Sequence, residues 1–251
     1  MPWCSGCVLG AVKTKIIFGM IRIETLDVGH ASNKSLFKAK GIEFTPGERI
    51  ALVGKNGSGK STFLKTLCGI LPALKGSVYF NSQPINTYSP FERAGMVSYF
   101  KALAPPGFEL TVMDLIYMYP YSKPKTTWLQ AKHDMVLDAF KLLPMLNTPL
   151  SKLSDGWNQK ALIARTCLQE SRFIVLDEPT LYLDVFARRD FHKLMHNLTQ
   201  EFKIGVLYST HDLEQLSQNA DRIFTIQDGT LRSFTNSAWA EFGSEAFLNS
   251  R

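Results

Sequence analysis

Apolar and polar positions alternate along much of the amino-terminal part of the chain, and this pattern predicts β-strands. The strand segments are IRIETLDV (21–28), GIEFT (41–45), RIALVG (49–54) and GSVYFNSQPI (76–85). Before the last of them, KSTFLKTLCGI (60–70) repeats its apolar residues at helical spacing instead. The chain is therefore expected to begin as strands with one intervening helix.

Helical and strand patterns take turns in the second half of the chain. Residues 111–146 have helical periodicity interrupted by prolines, so we expect a helical lobe over about residues 101–158, inserted into a sheet-forming core. The alternation continues with a helix at 156–169, the strand FIVLDEP at 173–179, a helix at about 186–202, the strand IGVLYST at 204–210 and a helix from about 212. Alternating strands and helices predict an α/β fold, in which a mainly parallel sheet has helices on both faces.

One loop predicts a phosphate-binding site. GKNGSGKST matches the pattern G-x-x-x-x-G-K-[ST] in full and lies between a predicted strand and a predicted helix. Its glycines let backbone N–H groups point at phosphate oxygens, at the positive end of the helix dipole. We expect Lys60 to reach the β- and γ-phosphates and the Ser61 hydroxyl to bind Mg²⁺. The alternative, a glycine-rich turn without a ligand, leaves the complete motif unexplained. The predicted phosphate-binding residues are Gly54, Lys55, Asn56, Gly57, Ser58, Gly59, Lys60, Ser61 and Thr62.

Two carboxylates at the end of a buried strand are the expected partners of that loop. Asp177 and Glu178 follow the apolar run FIVL, and ligands bind beyond the carboxyl ends of strands in open parallel sheets. We predict that Asp177 holds Mg²⁺ through its water shell and that Glu178 polarises the attacking water as a general base. Alone, the pair would more simply be surface carboxylates at a turn. His211 ends another predicted strand, and we expect it to contact the γ-phosphate.

Composition changes the picture only slightly. Hydrophobic and charged fractions of 45% and 20% are ordinary for a globular chain, and no apolar run reaches the roughly 18–20 residues of a membrane span. The net charge of +6 fits a nucleic acid, an anionic membrane or a nucleotide equally well. Because no basic stretch is interleaved with aromatic residues, we predict no nucleic-acid partner.

The cysteines indicate a reducing, cytoplasmic setting. Cys68 and Cys167 lie in predicted helices and are expected to be core residues. Cys4 and Cys7 form a lone CxxC without a second pair at zinc spacing, which is weak evidence for a metal or redox site.

Both ends of the chain are expected to lie outside the main domain. Lysines interrupt the apolar stretch of residues 1–19, which therefore lacks the centre of a signal peptide, and Met20 directly precedes the first predicted strand. Our hypothesis is that Met20 is the natural start and that residues 1–19 are a mis-called or disordered extension. We expect one nucleotide-binding domain over residues 20–235 and a tail over residues 236–251.

Together these motifs resemble the ATP-binding subunits of ABC transporters over about residues 21–232. The resemblance rests on the phosphate loop, LSDGW at 153–157, FIVLDEP, the following LYLD, and STHD, all in the family's order. It implies a P-loop NTPase fold with a RecA-like core, a small antiparallel β subdomain and an inserted helical subdomain, with ATP and Mg²⁺ as cofactors. EPTLYLD and FELTVMDLIYMYPYSKP look most like the ATPases of iron-siderophore, haem and cobalamin importers.

By the same resemblance, LSDGW is a second phosphate-binding element. Ser154 and Gly156 occupy the positions that cap the γ-phosphate, His211 occupies that of the switch histidine, and Asp184 occupies that of the aspartate contacting the opposite subunit. In the family, this loop closes over the ATP of a second subunit, head to tail. One chain would therefore have two phosphate loops because each is half of a site.

Five positions depart from the family pattern. His30 stands where a tyrosine usually stacks on adenine, and a histidine ring can still stack on a base. Lys101 stands where a glutamine normally links Mg²⁺ and the attacking water to the permease. A lysine cannot accept a hydrogen bond from water, so it could instead contact phosphate or lie on the partner surface. Asp155 and Trp157 replace glycine and glutamine, and Leu181 replaces a small polar residue.

The sequence leaves three functions open. The favoured one is an ATP-hydrolysing subunit at the cytoplasmic face of the cell membrane that powers transport through a separate permease. Uptake of an iron chelate or related cofactor, delivered by a periplasmic binding protein, is the suggested process. The second function is an ATP-gated, dimerising regulatory module with little turnover, which the departures motivate. The third is a soluble ABC-type ATPase acting on proteins or nucleic acids, and the presence of one cassette without coiled coils argues against it.

Overall fold

The computed structural model describes residues 19–30, 34–101, 110–118, 126–213 and 216–243. Cys4, Cys7 and nearly all of the predicted extension over residues 1–19 lie outside them. The strands are β1 (Ile21–His30), β2 (Lys34–Phe44), β3 (Arg49–Gly54), β4 (Lys75–Phe80), β5 (Gln83–Pro84), β6 (Val97–Lys101), β7 (Phe173–Asp177), β8 (Gly205–Ser209), β9 (Arg222–Gln227) and β10 (Thr230–Thr235).

These strands form one ten-stranded sheet in the order β5-β4-β1-β2-β10-β9-β3-β8-β7-β6. The strands β6, β7, β8, β3 and β9 run parallel, whereas β1 pairs antiparallel with β2 and β4. The predicted parallel core and the antiparallel part implied by the resemblance are both confirmed. The β9–β10 hairpin was not predicted, although its Asp228-Gly229 turn, with both residues at positive φ, is a strong local hairpin signal.

The helices lie mostly where their periodicity predicts them. An exception is α2, which was not predicted although Ser89 and Glu92 form a capping box at its start. The α-helices are α1 (Lys60–Leu67), α2 (Pro90–Met96), α3 (Val112–Tyr117), α4 (Thr127–Ala139), α5 (Asp155–Leu168), α6 (Val185–Phe202), α7 (Leu216–Asn219) and α8 (Asn236–Ala238). Short 3₁₀ turns cover Ile85–Thr87, Leu143–Met145 and Leu150–Lys152, and a π-helical turn covers Trp239–Gly243.

The parallel strands are buried on both faces, which explains their continuous apolar sequences. Successive side chains of a strand point to opposite faces, so β7 contributes Phe173 and Val175 to one hydrophobic cluster and Ile174 and Leu176 to another. The first cluster contains the apolar side of α1, and the second contains that of α5 and α6. We call these faces of the sheet the α1 face and the α6 face.

The predicted helical lobe includes α3 and α4, which pack with α5 around the second cluster. A buried lysine connects this region to the end of α5, because Lys132 Nζ donates a hydrogen bond to the Gln169 carbonyl at 2.6 Å. Burial lowers the pKa of Lys132 to about 8. Residues 102–109 and 119–125 lie outside the described residues, so the lobe's bounds at 101 and 158 stay a prediction.

Leu198→Ala should lower the free energy of unfolding by about 2–5 kcal/mol, because Leu198 on α6 is fully buried and its truncation leaves a cavity. Urea denaturation measures this loss. The matched control is Leu143→Ala, whose side chain is 58% exposed and which should change stability by less than about 0.5 kcal/mol. Equal effects of the two substitutions would contradict the assigned core.

Candidate functional site

The predicted phosphate loop connects the end of β3 to the start of α1. Gly59, directly before α1, has φ +100°, and an added Cβ would lie 3.0 Å from Leu36 Cδ1 and 3.1 Å from Phe37 Cε1. At Gly54, an added Cβ would lie 2.6 Å from Ser58 Oγ. The positive φ makes Gly59 a position that favours glycine, whereas a side chain at Gly54 would require the Ser58 hydroxyl to move. The loop lies at the helix amino end, where an anion is stabilised.

The Lys60 ammonium is the buried cation of this loop. Lys60 is 6% exposed, and its Nζ donates hydrogen bonds to the carbonyls of Gly54 at 2.8 Å and Lys55 at 3.2 Å. Burial lowers the pKa of Lys60, and the nearby charges of Glu178 and Asp177 oppose that shift. The loop thus holds a cation beside the two predicted carboxylates, where it can neutralise phosphate oxygens.

Two hydroxyl groups fix the carboxylate of Asp177, which is 4% exposed at the carboxyl end of β7. Ser209 donates a hydrogen bond to Oδ1 at 2.9 Å, and Tyr99 donates one to Oδ2 at 3.2 Å. Ser209 Oγ also accepts a hydrogen bond from the Glu178 backbone N–H at 2.8 Å. Neither hydroxyl was predicted as part of the site, although strand alternation would place all three side chains on the α1 face once the strand neighbours were known.

The structure brings Glu178 and His211 together. Glu178 Oε1 lies 2.7 Å from His211 Nε2, and both side chains are partly open to solvent, with exposed fractions of 33% and 46%. Glu178 has φ +51°, an uncommon value for a residue other than glycine. A carboxylate held in this way at the rim of a phosphate site is placed to accept a proton from water.

The donor set suits a hard cation bound to a nucleotide. Half-buried Ser61 and buried Asp177 offer oxygen atoms, which Mg²⁺ prefers, and Lys60 supplies the charge that a triphosphate requires. These residues therefore fit the predicted ATP and Mg²⁺, and their individual roles stay predictions. Among the described residues, no three His, Cys, Asp or Glu side chains cluster as an all-protein metal site.

The predicted second phosphate loop begins α5. Ser154 is exposed, and its hydroxyl makes no capping hydrogen bond with the backbone N–H groups at the start of α5. An added Cβ at Gly156 would lie 3.2 Å from the Tyr182 carbonyl, so the loop passes close to the segment after β7. Buried Gln159 reinforces this proximity, because its Nε2 donates a hydrogen bond to the Pro179 carbonyl at 2.8 Å.

Of the two unusual residues in that loop, Trp157 has a local partner. The Lys160 ammonium lies 4.4 Å from the centre of the Trp157 ring, a cation–π geometry. Asp155, the first residue of α5, is exposed. An acidic residue in the first turn of a helix is favourable for the helix itself. Both departures thus have a local structural explanation.

Asp184 has a structural role besides the predicted contact with an opposite subunit. It precedes α6, and its Oδ1 accepts a hydrogen bond from the Ala187 N–H at 2.8 Å, so it caps the helix. That hydrogen bond lowers the pKa of Asp184. An aspartate just before a helical pattern is a standard capping signal, and it could have been recognised. The predicted contact with an opposite subunit stays a prediction.

Two further predicted positions lie at strand ends. Lys101 is the exposed last residue of β6, and its Cα is in register with that of Asp177 on β7. His30 is the last residue of β1, and its side chain lies outside the described part of the structure. The predicted stacking of His30 on adenine therefore stays a prediction.

Cys68 and Cys167 are buried, and burial raises the pKa of both thiols.

Comparison with known proteins gives a consistent result. A family model described as ABC transporter matches residues 38–181. The lipoprotein-releasing system ATP-binding protein LolD of Acinetobacter baylyi is 31% identical over 207 residues, 79% of this chain and 89% of the relative. The ferric enterobactin transport ATP-binding protein FepC of Escherichia coli is 28% identical over 195 residues, 76% of this chain and 72% of the relative.

A solved structure described as the ATP-binding subunit of an ABC transporter has the same fold. It superposes with a TM-score of 0.76 at 23% identity and covers 92% of this chain and 98% of the other. This likeness confirms the predicted P-loop NTPase architecture. In the described residues, no helix is both long enough and apolar enough to cross a membrane.

Ser209→Ala should lower the free energy of unfolding by about 1–3 kcal/mol, because the substitution leaves the Glu178 N–H and one Asp177 oxygen without a buried partner. Urea denaturation measures the loss, with exposed Ser237→Ala as the matched control. A variant as stable as the wild type would show that this hydroxyl does not hold the site together.

Proposed function

The chain belongs to the ABC transporter family, and from that premise we propose that it binds and hydrolyses ATP to power transport through a separate transmembrane permease. It is an ATP-binding subunit of the kind found in ABC transporters. The observation on which the proposed hydrolysis rests is the grouping of the Lys60 cation with Asp177 and with the Glu178–His211 pair.

In the proposed reaction, the phosphate loop binds the triphosphate and Lys60 neutralises its β- and γ-phosphate oxygens. Ser61, and Asp177 through the metal's water shell, would hold Mg²⁺, which would supply further positive charge to the triphosphate. Water attacks the γ-phosphorus, its proton passes to the Glu178 carboxylate, and the bond between the γ-phosphorus and the ADP oxygen breaks. Before ATP binds, His211 holds the Glu178 carboxylate in place through the 2.7 Å contact. Once ATP is bound, His211 contacts the γ-phosphate instead.

We propose further that a second subunit completes the site. Ser154 is exposed at the amino end of α5 and does not cap that helix, so it is accessible to a phosphate outside its own chain. An exposed apolar surface lies beside it in the segment after β7, where exposed apolar area of this kind commonly marks an interface. The exposed residues are Leu181, Tyr182, Val185 and Phe186. These features support a head-to-tail dimer in which each chain covers the nucleotide of the other.

The transported substrate and location are the finer part of the proposal. The resemblance of EPTLYLD to iron-chelate importer ATPases and the relative named for ferric enterobactin transport support uptake of an iron chelate or a related cofactor. A relative named for lipoprotein release is about as similar, so overall identity does not select the cargo. A membrane permease and, through it, a periplasmic binding protein are the proposed partners, with this chain at the cytoplasmic face.

Glu178→Gln should retain ATP binding but hydrolyse ATP at least about a hundredfold more slowly, since the amide cannot accept the proton of water. Steady-state phosphate release and equilibrium nucleotide binding measure the two properties. The matched control is Glu201→Gln, an exposed carboxylate on α6. Full activity in Glu178→Gln would place the general base elsewhere.

Negligible turnover of the wild type with its permease, together with tight ATP binding, would favour the regulatory module.

Mixing two inactive variants should restore ATPase activity if the site is shared between subunits. Ser154→Arg blocks the capping half of a site, and Lys60→Ala removes the cation from the phosphate half. A mixed dimer then contains one site with both halves intact, which should give about half the wild-type rate per dimer when sites act independently. The measurement is the ATPase rate of the mixture against each variant alone. No gain despite confirmed mixed dimers would argue against independent, shared sites.

A further inference from the structure

We propose that Tyr99 is a positioning residue for the Mg²⁺ site: its phenol hydroxyl fixes the Asp177 carboxylate in the orientation that binds the metal with ATP. This inference rests on the proposed function. It adds the Tyr99 side chain to a site whose metal-binding residues, Ser61 and Asp177, the sequence motifs assign to the phosphate loop and β7. It also gives a role to the one hydroxyl group of β6 that hydrogen-bonds to Asp177.

Strand geometry brings the two side chains together. Val97 and Tyr99 pack in the hydrophobic cluster of the α1 face, whereas Phe100 belongs to the cluster of the α6 face. On β7, Val175 is the Cα partner of Tyr99 and also packs on the α1 face, so Asp177, two residues further, points the same way. A tyrosine is long enough to reach this diagonal neighbour.

The Tyr99 hydroxyl is one of two groups that restrain the Asp177 carboxylate. Tyr99 Oη donates a hydrogen bond to Asp177 Oδ2 at 3.2 Å. Ser209, on β8 at the other side of β7, donates one to Oδ1. Each carboxylate oxygen has a second acceptor position, so both can still bind a metal or its water. A carboxylate oxygen only accepts hydrogen bonds, so the phenol of Tyr99 is the donor in this contact.

A purely structural tyrosine would behave differently. The ring of Tyr99 packs against apolar neighbours of the α1 face, and a phenylalanine ring would make the same contacts. The hydroxyl is the group that hydrogen-bonds to Asp177, so removing that single oxygen separates packing from positioning. Hydrogen bonds to metal-binding side chains orient them, and their loss weakens metal binding.

The test is the Mn²⁺ affinity of the full-length protein saturated with a non-hydrolysable ATP analogue, measured by electron paramagnetic resonance. Tyr99→Phe should bind Mn²⁺ about tenfold more weakly, the lower end of the range for loss of such a hydrogen bond. Affinity for the analogue without metal should stay unchanged, which a general loss of structure would not allow. The matched control is Tyr88→Phe, whose hydroxyl donates to the Phe80 carbonyl at 3.4 Å in the same hydrophobic cluster.

A double-substitution cycle shows whether Tyr99 acts through Asp177. In an Asp177→Ala background, Tyr99→Phe should lower Mn²⁺ affinity by less than about twofold further, because the oxygen it positions is gone. An equal tenfold loss in both backgrounds would overturn the inference. So would unchanged Mn²⁺ affinity of Tyr99→Phe while the wild type binds the metal with the analogue. A wild type that binds neither would instead overturn the proposed function on which the inference rests.

Discussion

The burial of the Lys60 ammonium is the constraint on which the site depends. A cation removed from water is unfavourable unless nearby dipoles and charges replace the lost hydration. Two carbonyls of the phosphate loop accept its hydrogen bonds, and the charges of Asp177 and Glu178 oppose the effect of burial on its pKa. The cation and the two carboxylates therefore stabilise one another before any nucleotide binds, and a triphosphate with its metal would enter an arrangement whose charges are already in place.

That arrangement requires a strand that is buried on both faces. The apolar residues of β7 pack alternately against the cluster of the α1 face and the cluster of the α6 face, so the strand and its end are held from both sides. At that end, hydroxyl groups from β6 and β8 bind the same carboxylate. Glu178 has a positive φ, an unfavourable backbone conformation for a residue other than glycine. The hydrogen bond from its N–H to Ser209 helps to hold it in that conformation. Packing in the sheet interior thus determines the geometry of the polar edge.

The two predicted halves of the nucleotide site differ in character. In the half built on the phosphate loop and β7, Lys60 and Asp177 are buried, and hydrogen bonds connect their side chains to neighbouring groups. The half at the start of α5 is exposed, with an uncapped serine beside an exposed apolar surface. Gln159 and Asp184 stabilise this second half within the chain, by a bond to Pro179 and by capping α6. These internal hydrogen bonds leave Ser154 and the apolar surface exposed, as the predicted contact with another subunit requires.

Local patterns in the sequence determined the phosphate loop, the buried run before Asp177, most helices and the α/β class, because each depends on residues a few positions apart. The β9–β10 hairpin and α2 had local signals of the same kind, Asp228-Gly229 and the Ser89–Glu92 box, and could have been predicted. The tertiary structure alone decided that β6 and β8 flank β7, which is what brings Tyr99, Ser209 and His211 to the carboxylates. Strand order and register depend on packing free energy summed over distant segments, and a local pattern does not contain that information.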